Sequence, residues 1–185
     1  MKIGLFFGSF NPIHMGHLII AQSFINQIDL DELWFVVSPH NPLKDQQELN
    51  DADLRLDLVR DSIKSNEKFK LCDIEFSLSI PSYTIDTLSE LKKKYPEHSF
   101  ELLIGSDSLD SFSQWKNFKQ ILNNFTTYVY PRKKDYKIPE EFTSYSIEIV
   151  NLPILDISST HIRKLLANGK SIKYLVPEVV YNYFN

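Results

Sequence analysis

Two histidines with a helical spacing stand in the part of the chain richest in groups that can do chemistry. His14 and His17 close a segment that reads Gly8-Ser9-Phe10-Asn11-Pro12-Ile13-His14-Met15-Gly16-His17. Side chains three positions apart share one face of a helix, so both imidazoles can point at the same anion. The same pair would supply two ligands of a zinc site, which needs at least one more. The segment therefore predicts an anion site or part of a metal site.

The flanking segments favour the anion site. An apolar run at 3–7 predicts a buried strand before the loop, and 18–24 predicts a helix with an apolar face after it. A helix N-terminus offers N–H groups and the positive end of its dipole, and glycine lets a ligand approach the backbone. With one cysteine in the chain and no carboxylate at metal spacing, a protein-bound metal is disfavoured. Gly8 and Gly16 fit neither of the two commonest phosphate-loop patterns, which leaves a rarer phosphate loop.

The first segment resembles the G-x-F-x-P-x-H-x-G-H loop of the nucleotidyltransferase superfamily. About 140 residues later, the segment 157–163 reads Ile-Ser-Ser-Thr-His-Ile-Arg and resembles the I-S-S-T-x-I-R motif of that superfamily. The segments 82–88, 104–109 and 174–180, together with Trp115, are similar to the bacterial nicotinate-nucleotide adenylyltransferase branch. This resemblance implies adenylyl transfer from ATP to nicotinate mononucleotide, giving nicotinate adenine dinucleotide and pyrophosphate in NAD biosynthesis.

The resemblance also implies where ATP binds. His14, His17 and Arg163 are expected to be catalytic, with His17 acting on the α-phosphate. The expected ATP-binding set adds residues from three loops, namely Gly8, Ser9, Phe10, Gly105, Asp107, Ser158 and Ser159. When one phosphate attacks another, positioning and charge stabilisation suffice, so direct in-line attack without a covalent intermediate is expected. Nearby phosphates should favour the charged imidazoles. Mg²⁺ should bind mainly through the ATP phosphates, because the motifs contain no carboxylate cage.

The mononucleotide site is expected from residues in the middle of the chain. By resemblance, Trp115 would stack on the pyridine ring, Thr84 would meet the ring carboxylate, and Asp107 would accept ribose hydroxyls. Arg132 and Lys44 would attract the anionic groups of the mononucleotide.

The loop at 39–44 departs from the P-P-H-K pattern that the family usually has. Leu43 stands where a histidine normally precedes the lysine. His40 or Asn41 could therefore take over the contact to the mononucleotide phosphate.

Simpler roles stay open for several of these residues. Ser158 and Ser159 precede a predicted helix and could act only as its cap. Trp115 could pack on its own helix. At the level of function, a sister enzyme acting on phosphopantetheine or nicotinamide mononucleotide is an alternative, and so is a nucleotide-binding regulatory protein that has lost catalysis.

The elements that must position these residues alternate along the chain. Patterning predicts strands at 3–7, 33–37, 69–76, 100–104, 126–130 and 147–152. Helices are predicted at 18–24, 53–65, 83–94, 115–122 and 159–168, and again after Pro177. The alternation predicts one domain over residues 1–185, a Rossmann-like, doubly wound, mainly parallel sheet with helices on both faces. Ligands of such sheets bind beyond the carboxyl ends of the strands, where the polar loops fall.

Composition restricts the partners. A formal net charge of −4 argues against a non-specific nucleic-acid binder, and no apolar run approaches the roughly 18 residues of a membrane span. The single cysteine, Cys72, and the absence of a leader pattern suit a cytoplasmic protein. The expected partners are the two nucleotides, without nucleic acid or membrane, and a homo-oligomer stays open.

Overall fold

A computed structural model describes residues 1–40 and 49–185 and shows a six-stranded sheet at their centre. The strands are all parallel and lie in the order β3-β2-β1-β4-β5-β6. They are β1 (Lys2–Gly8), β2 (Glu32–Val37), β3 (Phe69–Cys72), β4 (Ser99–Gly105), β5 (Thr127–Tyr130) and β6 (Ile147–Ile149). Asn41 and Lys44, both expected at the mononucleotide site, lie outside the described residues.

Helices connect the strands. They are α1 (Met15–Gln27), α2 (Ala52–Ile63), α3 (Thr84–Lys94), α4 (Ser106–Asp110), α5 (Phe118–Asn124), α6 (Ser159–Ala167) and α7 (Glu178–Phe184). Short 3₁₀ turns cover Ile74–Ser77, Phe112–Gln114 and Glu140–Phe142. Within the described ranges, none of these helices is long and apolar enough to cross a bilayer.

Two apolar clusters cover the two faces of the sheet. Successive strand side chains point to opposite faces, so Phe6 joins one cluster while Leu5 joins the other. Helices α1, α2, α6 and α7 contribute to the first cluster, and α3, α4 and α5 to the second. Helices on both faces of a parallel sheet confirm the predicted doubly wound architecture.

The strand order places the change of winding direction between β1 and β4. Strands added after β1 run outward through β2 and β3, and the chain then returns to the other side of β1. In doubly wound sheets the crevice at such a switch point is where ligands bind. The loops after β1 and β4, which begin at Gly8 and Gly105, therefore meet at the centre of this edge.

Several predicted boundaries are wrong: the helix expected over 18–24 spans Met15–Gln27, and three further differences share one cause. The third strand was expected over 69–76 but ends at Cys72, because a 3₁₀ turn begins at Ile74. The helix expected over 115–122 begins only at Phe118, so Trp115 lies in the turn before it. The last strand, expected over 147–152, ends at Ile149. In each case an apolar pattern continues past the end of the hydrogen-bonded element, and the pattern alone gives no stop signal.

Candidate active site

Two adjoining cavities open at the carboxyl edge of the sheet. The first, of about 300 Å³, is lined by Gly8, Ser9, Phe10, Thr84, Gly105 and Trp115 among others. The second, of about 360 Å³, is lined by His14, Ser158 and Arg163 among others. His17, Asp107, Arg132 and Ser159 line both cavities. All of the expected site residues that the structure describes therefore surround one continuous cleft.

The two histidines cap helix α1 and each other. The backbone N–H of His17 donates to Nδ1 of His14 at 3.3 Å, and that of His14 donates to Nδ1 of His17 at 3.2 Å. The rings stack with centroids 3.6 Å apart. A neutral imidazole that accepts at Nδ1 carries its proton on Nε2. The cap therefore makes Nε2 of both rings the donor atom toward an anion.

His14 is held in its neutral form. Its side chain is 3% exposed. Burial, together with a smaller effect of the positive charge of Arg132, lowers the pKa of His14 to about 3. The expectation that bound phosphates favour charged imidazoles concerns the occupied site and stays a prediction, whereas His14 is neutral in the protein without phosphate. Its contribution is an oriented N–H group rather than a full charge.

The backbone at the start of α1 is less available than the sequence indicates. The N–H of Met15 donates to the carbonyl of Leu175 at 2.9 Å. The N–H of His17 is taken by His14. These bonds leave the contact with an anion mainly to side chains, and they tie the segment before α7 to the histidine loop.

Glycines let neighbouring side chains approach the loops closely. A Cβ on Gly16 would lie 2.4 Å from Cγ2 of Ile157 and 3.0 Å from Nδ1 of His14. A Cβ on Gly105 would lie only 2.3 Å from Oδ1 of Asp107. The close approach at Gly16 thus serves the contact between the two motif segments, whereas the sequence alone indicated room for a ligand.

Phe10 contributes to the wall of the cleft from a buried position. Its side chain is 2% exposed and belongs to the apolar cluster that includes Phe6. Its backbone has a φ of 46°, in the left-handed region. The ring lies against Gly8, whose Cβ would approach it to 2.8 Å. Phe10 thereby turns the chain sharply after β1.

The second motif clamps onto the first. The hydroxyl of Ser159 donates to the carbonyl of Pro12 at 3.0 Å, and Nη1 of Arg163 donates to the carbonyl of Asn11 at 3.1 Å. Ser158 is the N-cap of α6, and its hydroxyl accepts from the N–H of His161 at 3.2 Å. Segments almost 150 residues apart therefore form one rigid wall. Capping accounts for Ser158 in this structure, while Ser159 and Arg163 reach across to the histidine loop.

An ion pair stands where the two cavities meet. Nε of Arg132 lies 3.6 Å from Oδ1 of Asp107, and Nη2 of Arg132 donates to the hydroxyl of Tyr130 at 3.0 Å. The backbone N–H of Arg132 donates to Ser106 at 3.0 Å. Burial raises the pKa of the Tyr130 hydroxyl, so this group stays protonated. A cation and a carboxylate are thereby presented side by side to both cavities.

The far wall of the first cavity carries Thr84 and Trp115. Thr84 is the first residue of α3, and it is half-buried. The indole of Trp115 stacks on Phe112 with centroids 4.4 Å apart, and its buried Nε1 has no hydrogen-bond partner. An unpartnered buried donor is costly unless something binds to it. This wall can therefore present a flat apolar face to a ring.

Sequence reasoning missed four buried polar residues behind these walls. Arg55 is 1% exposed and donates to the carbonyls of Ser9, Ser38, Pro39 and Asn50 at 2.6 to 3.1 Å. Its position in phase with the apolar residues of α2 was a usable signal, since a charge on an apolar stripe needs buried partners. Glu75, Ser38 and Ser82 form a second polar cluster, and the sequence carried no comparable signal for it.

Metal ligands are not clustered in the part of the chain that the structure describes. No three His, Cys, Asp or Glu side chains in those ranges approach each other as a metal site would require. The cleft instead offers imidazole, guanidinium and hydroxyl donors, which suit phosphate oxygens.

Comparison with known proteins agrees with this chemistry. The profile of the cytidylyltransferase-like family matches residues 5–165. A protein of Cytophaga hutchinsonii named "Probable nicotinate-nucleotide adenylyltransferase" is 51% identical, covering 97% of this chain and 93% of its own length. A Flavobacterium johnsoniae protein of the same name is 47% identical, covering 100% and 96% respectively.

The fold also matches solved structures. That of the Plasmodium falciparum nicotinic acid mononucleotide adenylyltransferase complexed with NaAD superposes with a TM-score of 0.81 at 22% identity. The match covers 98% of this chain and 93% of that one. At this identity the superposition establishes only the fold. Membership of the family follows from the family profile and from the curated relatives. The chain therefore belongs to the cytidylyltransferase-like family, in its nicotinate-nucleotide adenylyltransferase branch.

Proposed function

We propose that this chain transfers the adenylyl group of ATP to nicotinate mononucleotide, forming nicotinate adenine dinucleotide and releasing pyrophosphate for NAD biosynthesis. The observation that carries the proposal is the joining of two motif segments into one wall, through Ser159 and Arg163, around oriented histidines. That wall suits a triphosphate. The adjoining cavity with Trp115 and Thr84 suits a flat, carboxylate-bearing ring.

The triphosphate would lie along the histidine loop and the start of α6. Arg163 offers a planar fork of N–H donors, and Ser159 and the first turn of α6 offer shorter donors for the β- and γ-phosphates. The nucleotide would lie beside Gly8, Ser9 and Phe10. Its sugar would lie beside Gly105 and Asp107. Ser158 would contribute through the helix that it caps.

Charge develops mainly at the α-phosphate as the bond to pyrophosphate breaks. Nε2 of His17 is the best-placed neutral donor for it, because the reciprocal cap fixes the tautomer of the ring. The attacking phosphate is already an anion and needs no general base. The protein then lowers the barrier by holding two anions in line and by stabilising the transferred charge. His14, His17 and Arg163 would be the catalytic residues.

Arg132 would need to move only a short distance to bind the acceptor, nicotinate mononucleotide. Its guanidinium already lies where the cavities meet, within 3.6 Å of Asp107. From there it can bind the phosphate of the mononucleotide while Asp107 accepts ribose hydroxyls. Trp115 would stack on the electron-poor pyridine ring, and Thr84 would bind its carboxylate. Asn41 and Lys44 complete the proposed mononucleotide set from outside the described residues.

Magnesium fits this arrangement as an ion carried by the substrate. The described donor set is rich in cations and N–H groups and lacks a carboxylate cage, so phosphate oxygens and water would supply the ligands. When bound, the ion would neutralise charge on the triphosphate. Among the described residues that line the second cavity, Asp107 is the one carboxylate.

The test is product formation by the purified protein with ATP, magnesium and a panel of mononucleotides. We expect nicotinate adenine dinucleotide and one pyrophosphate per turnover, with a clear preference for nicotinate over nicotinamide mononucleotide. A preference for the amide form or for phosphopantetheine would contradict the proposed substrate. Binding of ATP with no transfer to any acceptor would favour a regulatory protein.

His17→Ala tests the proposed role of His17 at the α-phosphate. Loss of the oriented donor at the α-phosphate should lower kcat by about a thousandfold while the fold persists. His161→Ala, on the exposed side of α6, is the control and should leave kcat unchanged. Full activity of His17→Ala would contradict the mechanism.

A further inference from the structure

Glu75 is a buried carboxylate in the wall of the first cavity that the proposed reaction does not use. It lies in the 3₁₀ turn after β3 and is 1% exposed. Oε2 accepts from the hydroxyl of Ser38 at 2.5 Å and from that of Ser82 at 2.6 Å. Oε1 accepts from the hydroxyl of Thr87 at 2.9 Å. A buried carboxylate is tolerated only when it is fully hydrogen-bonded, and these three donors meet that need.

The three donors connect Glu75 to the acceptor side of the cleft. Ser82 directly precedes Tyr83 and Thr84, which line the first cavity. Thr87 lies in the first turn of α3, and its hydroxyl also donates to the carbonyl of Tyr83 at 3.3 Å. Glu75 therefore holds the segment 82–84 from its start and, through Thr87, from the helix that follows it.

The remaining contact anchors this cluster to the sheet. Ser38 follows β2, its N–H donates to the carbonyl of Gly8 at 3.0 Å, and its carbonyl accepts from Arg55 at 2.8 Å. None of these three hydrogen bonds of Glu75 reaches the histidine loop or α6 directly. Two of the three bonds of Glu75 thus act on the acceptor wall, whereas its bond to Ser38 reaches Gly8 only indirectly, through the backbone N–H of Ser38.

We propose that Glu75 is a positioning residue for the acceptor mononucleotide. It fixes the segment 82–84 so that Thr84 and the neighbouring backbone meet the ring carboxylate with little reorganisation. The inference rests on the proposed function, because it assigns the acceptor to this cavity. Small displacements of a positioning group cost binding and rate even when no contact to the substrate is removed.

Replacement by glutamine should preserve this role. The amide oxygen can accept from Ser38 and Ser82 in place of Oε2. The amide N–H₂ can donate to the hydroxyl of Thr87, which keeps the carbonyl of Tyr83 as its own acceptor. Glu75→Ala removes all three interactions. Ser82→Ala removes only the bond at the start of the segment and changes little volume.

The experiment measures KM and kcat for each substrate and, by calorimetry, the separate affinities for ATP and nicotinate mononucleotide. In Glu75→Ala and Ser82→Ala, the KM and Kd for the mononucleotide should rise by about tenfold or more, with those for ATP changed by less than about twofold. Glu75→Gln should stay within about threefold of the wild type. Leu91→Ala, a buried change at the far end of α3, controls for lost stability and should leave both affinities unchanged.

Each outcome supports or overturns the positioning role proposed for Glu75. Three results would overturn the inference. The first is an equal loss of affinity for both substrates, and the second is an unchanged mononucleotide affinity in folded Ser82→Ala. The third is a Glu75→Gln variant that binds the mononucleotide as weakly as Glu75→Ala. A wild-type protein that binds no nicotinate mononucleotide would overturn the proposed function together with it. A wild-type protein that makes the dinucleotide, with variants that bind the mononucleotide normally, would overturn the inference alone.

Discussion

At the scale of single residues, the candidate site offers hydrogen-bond donors whose direction is fixed before a ligand arrives. His14 and His17 take each other's backbone N–H groups at Nδ1, which directs Nε2 of each ring outward. Burial then keeps His14 neutral. Arg132 and Arg163 supply the positive charge beside them. The division of labour between oriented neutral donors and cations was not visible in the sequence, because it depends on burial.

The buried His14 should make the unliganded protein sensitive to mild acid. Its pKa is about 3 in the folded chain, against an ordinary value near 6.5, so the unfolded chain binds the proton more tightly. Stability is full above pH ~6.5 and falls as the pH drops toward 3. At a pH of about 5 the loss from this group is about 2 kcal/mol. Urea unfolding at a pH of about 7.5 and about 5 measures it.

His14→Asn keeps a capping side chain without the titrating ring, so the acid-induced loss of stability should shrink by that amount. His161→Asn, an exposed histidine, is the control and should behave like the wild type. An unchanged pH dependence in His14→Asn would contradict a buried neutral imidazole.

Gly16 has no room for a methyl group. Gly16→Ala would force Ile157 away from the start of α1, since the added Cβ would lie 2.4 Å from it. We expect the wall between the two motifs to open and kcat/KM to fall by about a hundredfold. Gly169→Ala tests glycine loss away from the site, because nothing lies within 4 Å of its Cβ position. Since Gly169 has a φ of 63°, that variant should lose stability and keep its kcat/KM.

At the scale of elements, loops are held by buried side chains from the helices and turns beside them. Arg55 of α2 binds carbonyls after β1 and after β2, and Glu75 binds hydroxyls after β2 and before α3. Ser38 takes part in both groups of bonds. The described segments at Ser9, Ser38 and Ser82 are thus held in place without regular secondary structure of their own.

Arg55→Lys should show how much this bracing matters. A lysine keeps the charge but has three N–H donors at a single atom and lacks the planar fork, so at least one of the four carbonyls loses its donor. Unfolding free energy should fall by about 3 kcal/mol in urea titration. Arg60→Lys on the exposed side of the same helix should change it by less than about 0.5 kcal/mol. Similar values for the two variants would contradict the bracing role.

The sequence predicted the elements better than their ends. Strand β1 and helix α6 follow from an apolar run and from a serine cap, which are local signals. The 3₁₀ turn that follows β3 is held by tertiary contacts, namely the hydroxyls around Glu75. Local patterning carries no information about such contacts.

At the scale of the whole molecule, the parallel sheet brings distant segments to one edge. The loop after β1, the loop after β4 and the start of α6 meet at the switch point of the strand order. That convergence was predictable, because polar loops followed the predicted strands. The pairing of Ser159 with Pro12 and of Arg163 with Asn11 was not, because both acceptors are backbone carbonyls.

The central claim is direct transfer of the adenylyl group between two phosphates, and its stereochemistry tests that claim most directly. The substrate is ATP with a single sulfur at the α-phosphorus in known configuration, with magnesium and nicotinate mononucleotide as partners. One in-line displacement predicts a nicotinate adenine dinucleotide thiophosphate with inverted configuration at that phosphorus. Retention would require a second displacement through a covalent intermediate and would contradict the account, as would the absence of dinucleotide.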